Sequence, residues 1–355
     1  MTKRPRAADV AALAGVSTTA VSFVLNGHDT GNISPATRDR ILQAAADLGY
    51  RPNRVAQSLR SKRTHVLGMV TDSIASSPFA GRLLGGAVER AGREDHVVMV
   101  FDTHAHAERE QAAVDEFASR QVDGLIYATM GFTHLEELPD TRLPMVLANC
   151  VEPSGRFSGV APDDERGGAL AASTLIDLGH RRIAMLGGPG ADSRADQPGG
   201  NVSGPLRANG FRSVTGARGL GADEATVTIA GWEIGDGARA AMRVLAGADG
   251  TALPAAQRPT AVFAINDRVA TGVLLTAARL GLAVPSDLSV LGFDDQESVA
   301  DQLVPALSTL ALPHARMGEL AVELLLATLA DPDLPPRQEL LECPLVVRDT
   351  LAPPA

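Results

Sequence analysis

Apolar positions in the first fifty residues recur at helical spacing. They fall in three groups: Val10 and Leu13; Val21, Val24 and Leu25; Ile41, Ala45 and Leu48. Between the first two groups lies Ala14-Gly15-Val16-Ser17. Gly15 permits a tight turn that ends one helix. Ser17 is placed to cap the next, its hydroxyl accepting a backbone N–H of the new first turn. Ser34-Pro35 then opens a third helix with a capping serine and a proline at its first position, and Gly49 stops it. Two short helices joined by a Gly-containing turn predict a helix-turn-helix, whose second helix enters the DNA major groove. Here that helix runs from about Thr18 to Leu25.

From Thr64 the pattern changes to short apolar runs alternating with helical stretches. Strands are predicted at His65–Thr71, Val97–Phe101, Val122–Ala128 and Leu143–Ala148, with helices at Phe79–Gly92 and Ala107–Arg120. A second series follows. Its strands are Arg182–Gly187, Ala225–Ile229, Ala261–Ile265 and Ser289–Phe293; its helices are Gly167–Gly179, Arg207–Val214, Gly235–Leu245 and Asp267–Leu280. Such alternation predicts doubly wound parallel sheets. The expected fold class is a small all-α head followed by a two-lobed α/β body.

Charge sharpens this division. The first 65 residues carry ten Lys+Arg against four Asp, a net of +6, which leaves −16 for the rest of a chain whose total is −10. A basic head on an acidic body suits a head that meets phosphate; a basic terminus without the helix-turn-helix would read as a solvated tail. The 355 residues suffice for two or three domains, and with 3% aromatics the core must be aliphatic. No apolar run reaches the length of a membrane span, and MTKRPRAADV lacks the apolar stretch of a secretory signal. The expected location is the cytoplasm, at the nucleoid, with no membrane partner. Cys150 and Cys343 alone offer neither a disulfide framework nor a zinc spacing.

The segments DVAALAGVS, AVSFVLNG, ISPATRDRILQAAADLGYRPN and RVAQSLR resemble the lactose-repressor (LacI/GalR) family of bacterial transcription regulators. LGHRRIAMLGGP, AVFAINDRVATG and VPSDLSVLGFDD extend the resemblance through most of the chain, and the body resembles the periplasmic-binding-protein type-1 fold. The resemblance implies a DNA-binding head at 1–51, a hinge helix or linker at 52–63, one effector lobe at 64–162 and a second at 163–295. It implies that about 296–329, including Leu307–Leu329, rejoin the first lobe and about 330–355, with Leu341–Arg348, the second.

By matching position, Thr18, Thr19 and Phe23 read bases, while Ser17, Ser22 and Asn26 hold phosphates. Tyr50 and Arg54 complete the set, and Asn53, Ala56 and Leu59 face the minor groove, where Leu59 and its copy wedge between base pairs. The other reading of Pro52–Arg60 is an ordinary linker helix. Relatives often carry Arg at the Phe23 position, which grips guanine bidentately. Phe23 either offers apolar contact to thymine methyls or packs inward on the third helix.

Six positions converge on the expected effector cleft: Phe79, Asn149, Arg207, Trp232, Asn266 and Asp294. An Arg fork, amide and carboxylate acceptors and a flat indole suit a polyhydroxylated ligand such as a sugar, with a nucleoside as the alternative. Gly190–Pro205 is about ten residues longer than the family pattern, and its Gly-, Asp- and Ser-rich composition reads as a loop, either a surface insertion or a lid. Arg194 within it competes with Arg207 for the ligand role.

His104-Ala-His106 follows the second predicted strand, where a solvated loop is expected, and reads as a surface pair, and Gly187-Gly188-Pro189-Gly190 lacks the Gly-Lys-Ser/Thr of a phosphate loop. Neither a cofactor nor a metal is expected. No nucleophile–base constellation stands out, which weighs against an enzyme, and the missing signal weighs against a transporter's solute-binding protein. The expectation is a dimeric repressor on a palindromic DNA operator, controlled by a small carbohydrate, with activation as the alternative sign. The short Pro-rich tail after Arg348 carries no heptad repeat for a larger assembly.

Overall fold

The computed structural model describes residues 5–25, 33–50, 63–74, 81–104, 106–188 and 200–355. Asn26, Asn53, Arg54, Ala56, Leu59, Phe79 and Arg194, with the expected hinge helix, lie outside them. The chain separates into two compact units, Met1–His65 and Val66–Ala355.

Among its described residues the first unit has three helices: α1 (Ala7–Ala14), α2 (Thr18–Leu25) and α3 (Pro35–Asp47). Gly15 closes α1 in the left-handed region at φ +67°, and the axes of α1 and α2 turn by 103°. Ser17 Oγ accepts Ala20 N at 3.2 Å and Ser34 Oγ accepts Thr37 N at 3.3 Å, so both capping serines act as their sequence context implies. Val10, Ala14, Val21, Val24, Ile41 and Ala45 form the small core. Leu13 does not join it and stands 57% exposed, one position off the stripe that Val10 and Ala14 define.

The second unit holds two six-stranded sheets. The first lobe contains β1 (Val66–Thr71), α4 (Gly81–Arg93), β2 (Val97–Asp102), α5 (Ala107–Ser119), β3 (Gly124–His134), β4 (Met145–Val151) and β5 (Ser158–Pro162). The chain then crosses to α6 (Asp164–Asp177), β6 (Ile183–Gly187), α7 (Ser203–Ala217), β7 (Ala225–Ile229), α8 (Ile234–Leu245), β8 (Ala261–Ala264), α9 (Asp267–Arg279), β9 (Ser289–Asp294) and β10 (Ser308–Ala311). It returns as α10 (His314–Ala330) and β11 (Gln338–Leu341), and finishes with β12 (Leu345–Val346). Strand order is β11-β5-β4-β3-β1-β2 in one sheet and β12-β10-β9-β8-β6-β7 in the other. Every pairing is parallel except β10–β12.

Burial on both faces explains the continuous apolar strands. Leu67 and Met69 of β1 meet α4 and α10, while Val70 faces α5 through Val114 and Phe117. Helix pairs approach at reciprocal glycines. A Cβ on Gly168 of α6 would strike the Arg207 carbonyl, and one on Gly210 of α7 the Glu165 carbonyl. Gly86 with Gly318, and Gly237 with Gly272, do the same for α4–α10 and α8–α9. Few aromatics and many Gly and Ala thus give helices packed backbone to backbone, which fixes α7 rigidly on α6.

Three expectations need correction. The segment Leu307–Leu329 does not rejoin the first lobe as a whole: β10 pairs with β9 in the second sheet, and the return begins at α10. Likewise β11, expected among the residues returning to the second lobe, pairs with β5 in the first sheet. The expected loop ending at Pro205 also gives way earlier, because α7 starts at Ser203. Pro205 fits the first helical turn, where its missing N–H would have had no intrahelical acceptor. Among the described residues no single helix is long and apolar enough to cross a membrane.

Candidate functional site

On the head unit, α2 buries Val21 and Val24 and turns Thr18, Thr19 and Phe23 outward. Phe23 is 41% exposed, which rules out the inward packing left open above. Ser17 is exposed with its hydroxyl on the helix cap, and Ser22 is half-buried. Tyr50 packs against the head core, its N–H closing the end of α3 on Ala45 O at 2.8 Å.

In the body, the carboxyl ends of the strands carry most of the expected cleft residues. Arg207 on α7 is 3% exposed as a side chain and Asp164, the first residue of α6, is 0%. Arg207 Nε donates to Asp164 Oδ1 at 2.7 Å, and Nη1 donates to the Ile265 carbonyl at 2.5 Å. Nη1 also lies 3.7 Å from Asp294 Oδ1, and the guanidinium sits 3.5 Å over the Phe293 ring. Burial opposes the charge on Arg207, but the two carboxylates outweigh it and hold the guanidinium protonated. Burial raises Asp164, against the pull of Arg207. It raises Asp294 well above the ordinary carboxylate range, and the nearby Asp267 adds to the effect.

Asn266, after β8, caps α9: its Oδ1 accepts Val269 N at 2.8 Å while Nδ2 donates to Trp232 O at 3.1 Å. The Trp232 indole lies against Gly188, where a Cβ would come within 2.8 Å of Cη2. Arg207, Asp294, Asn266 and Trp232 are therefore one connected group. Asn149 belongs to the other lobe and sits within β4, not at its end. The β3–β4 ladder breaks between Ala128 and Thr133, and the Asn149 amide fills the break. Its Nδ2 donates to Thr129 O at 3.0 Å and Met130 O at 2.9 Å, with the backbone held at φ +59°. Asn149 Oδ1 is buried with no hydrogen-bond partner among the described residues, an acceptor left over where the β3–β4 ladder breaks.

Four neighbours of the site were not among the sequence candidates. Asp164 reads in sequence as part of an acidic first turn, and Phe293 as core. Asp267 Oδ1 accepts the Thr309 hydroxyl at 2.6 Å and Oδ2 accepts Gln296 N at 2.6 Å. It thereby braces the loop after Asp294, and burial pushes its carboxyl up to about 7. Asp72, after β1, accepts Met130 N at 3.0 and 3.1 Å and orders the tip of β3. The His104/His106 pair is exposed, each ring beside its own carboxylate, Asp102 at 3.6 Å and Glu108 at 3.7 Å. Among the described residues no group of three or more His, Cys, Asp or Glu is placed to hold a metal.

Two family models match the chain: bacterial regulatory proteins of the lacI family over residues 8–53, and a periplasmic binding protein-like domain over residues 172–351. The transcriptional repressor PurR of Vibrio vulnificus is 30% identical over 97% of both chains. Catabolite control protein A of Priestia megaterium is 30% identical over 89% of this chain and 90% of its own. Among solved structures, a Lac repressor dimer bound to operator and the anti-inducer ONPF superposes with a TM-score of 0.74 at 27% identity. It covers 99% of this chain and 100% of that one. The transcriptional regulator CelR in complex with cellobiose gives 0.67 at 28% identity over 98% of this chain and 100% of that one. With a helix-turn-helix head, a two-lobed body and relatives matched along nearly its full length, the chain belongs to the lacI family of bacterial transcriptional regulators.

Proposed function

We propose that the chain is a dimeric repressor that binds a palindromic operator and answers to a small polyhydroxylated effector held between the two lobes. The observation that carries this reading is one conjunction. A helix-turn-helix with an outward, unburied α2 face shares a chain with a two-sheet body whose strand ends present a rigid Arg–Asp set. Among the described residues Arg207 Nη2 and the Asp294 carboxyl group make no hydrogen bond, so the outer edge of the guanidinium and that carboxyl group remain for a ligand. Such a set matches adjacent hydroxyls on a ring with one apolar face. The CelR neighbour, solved with cellobiose, supports a sugar.

The dimer is supported by the operator-bound Lac repressor dimer and by Val88 of α4 with Val97 and Met99 of β2, all exposed. β2 is an edge strand of the first sheet. At these sites an open apolar surface invites a second copy.

Selection of duplexes from a random pool, followed by anisotropy at several salt concentrations, tests the DNA reading. A palindromic winner with a slope near −0.9 per neutralised phosphate is expected. Screens of sugars and nucleosides against that complex, with the single Trp232 as a fluorescence reporter, then test the effector. A winner without dyad symmetry, or a response to nucleosides alone, would overturn the corresponding part of the proposal.

A further inference from the structure

α2, TTAVSFVL, contains no Arg, Lys, Asn, Gln, Asp or Glu. Those are the side chains that grip base edges with paired hydrogen bonds in the major groove. Val21 and Val24 are in the head core, and Ala20 and Leu25 are partly covered by it. The outward face is left to Thr18, Thr19 and Phe23, with the half-buried Ser22 beside them. Thr19 and Phe23 stand four residues apart and share one stripe of that face. A phenyl ring has neither donor nor acceptor. The group it can distinguish on a base edge is the pyrimidine 5-methyl, the one apolar substituent that the bases project into the major groove.

Resting on the reading of α2 as the base-reading helix, we propose that Phe23, flanked by Thr19, is a 5-methyl reader. Each operator half-site then places a thymine, or a 5-methylcytosine, against the Phe23 ring. Discrimination there comes from burying a methyl against an aromatic face, with no hydrogen bond to the base. A hydrogen-bonding readout by the threonine hydroxyls, the competing possibility, is indifferent to that methyl.

The test uses the full chain and the duplex selected from a random pool. Each thymine is replaced in turn by deoxyuridine, symmetrically in both half-sites, and affinity is read by anisotropy at fixed salt. Deoxyuridine keeps every hydrogen-bonding group and removes only the methyl. Burial of one methyl corresponds to about fourfold in affinity, so one symmetric position is expected to lose about 15-fold over two half-sites. In Phe23→Ala that loss at the same position is expected to vanish, with the starting affinity already reduced. The variant's unfolding midpoint is expected to be unchanged, because the ring lies outside the head core. If deoxyuridine is neutral at every thymine while the duplex remains bound, the methyl readout is overturned and DNA binding stands. If the loss persists undiminished in Phe23→Ala, the role of Phe23 is overturned. If no duplex is retained from the pool at all, the DNA reading falls and this inference with it.

Discussion

Arg207→Met is the substitution that asks most of the structure. The guanidinium is 3% exposed and the Asp164 side chain is 0%, so the pair has no access to water as a substitute partner. Methionine replaces the arginine stem with an apolar chain that can still pack near the Phe293 ring, on which the guanidinium now lies, and removes the charge together with the hydrogen bond to Ile265 O. Asp164 would then be buried without its ion-pair partner. Removing one member of a buried ion pair costs about 3–5 kcal/mol. For a unit this large, each kcal/mol moves the midpoint by about 2–4 °C, so a fall on the order of 10 °C is expected. The double variant Arg207→Met/Asp164→Asn removes both charges and should regain more than half of that loss. The implied coupling is about 2 kcal/mol.

Thermal unfolding and urea titration measure both variants. Anisotropy on the selected duplex and Trp232 fluorescence then ask about function. The expected single variant still binds operator and no longer responds to the effector. A midpoint within 2 °C of the parent would refute the buried-pair account, by the same scale. An unchanged half-saturation for the effector would refute the ligand role of Arg207 and turn attention to Arg194.

Gly188→Ala should push the Trp232 indole from its seat, shifting the fluorescence maximum and weakening effector binding about tenfold with little change in unfolding; the emission spectrum and a titration check it. Asp267 predicts a pH effect of definite sign. Its folded carboxyl is raised to about 7, so between the unfolded value near 4 and about 7 the folded state binds more protons. The contribution of Asp267 to stability therefore falls as pH rises through that window and levels off above it. Urea midpoints of the parent minus those of Asp267→Asn should trace that decline, and a flat difference would contradict it. Leu59→Ala should lower operator affinity while leaving effector affinity nearly intact; equal operator affinity in gel-shift titrations would remove the wedge role.

The strands legible in the sequence are those that carry their own apolar runs, such as VLGMVT of β1 and SVLGFD of β9. β5 (SGVAP), β10 (STLA) and β11 (QELL) have no such signal, and they form because neighbouring strands supply the ladder. The first two are held between partners on both sides, so position in the sheet, not propensity, makes them strands. That is also why Leu307–Leu329 reads as one unit in the sequence: the α10 pattern is strong, and β10 before it is silent. The head was legible almost to the residue because its signals are local, a left-handed Gly15 and two capping serines. The cleft was legible only in part. Arg207 and Asp294 follow from family position, whereas Asp164 lies 43 residues from Arg207 in sequence, and its Asp-Asp-Glu context also describes a helix start. Asp163 does cap α6, accepting Arg166 N at 3.0 Å, while Asp164 turns inward. Nothing in local spacing separates those two fates.

The place of Arg207 in the fold explains how a ligand there could move the lobes. The chain passes between lobes at three points: between β5 and α6, between β10 and α10, and between β11 and β12. These crossings are bonded to one another and to the site: Asp163 N donates to Leu341 O at 2.8 Å, Ala311 N to Pro344 O at 2.8 Å and Leu312 N to Asp294 O at 3.2 Å. Asp164 opens the first segment after its crossing, and His314 opens the segment after the second. Cys343 sits within the third. Burial, with the charges of Arg82 and then Arg207, pushes His314 down to about 4 and keeps it neutral. The buried Cys343 thiol is pushed up by burial and by Asp164, against the pull of Arg207. Arg207 thus contacts Asp164 in the segment after the first crossing, and its charge is felt at His314 and Cys343 beside the other two. A ligand that engaged the outer edge of Arg207 would bear on Asp164 and Asp294, and those residues stand at or beside the crossings. An effector acts only through a difference in affinity for two lobe arrangements. The crossings are where such a difference is written: Asp294, whose carbonyl accepts Leu312 N, stands beside one of them, and Arg207 and Asp294, 3.7 Å apart, would turn together with the second lobe.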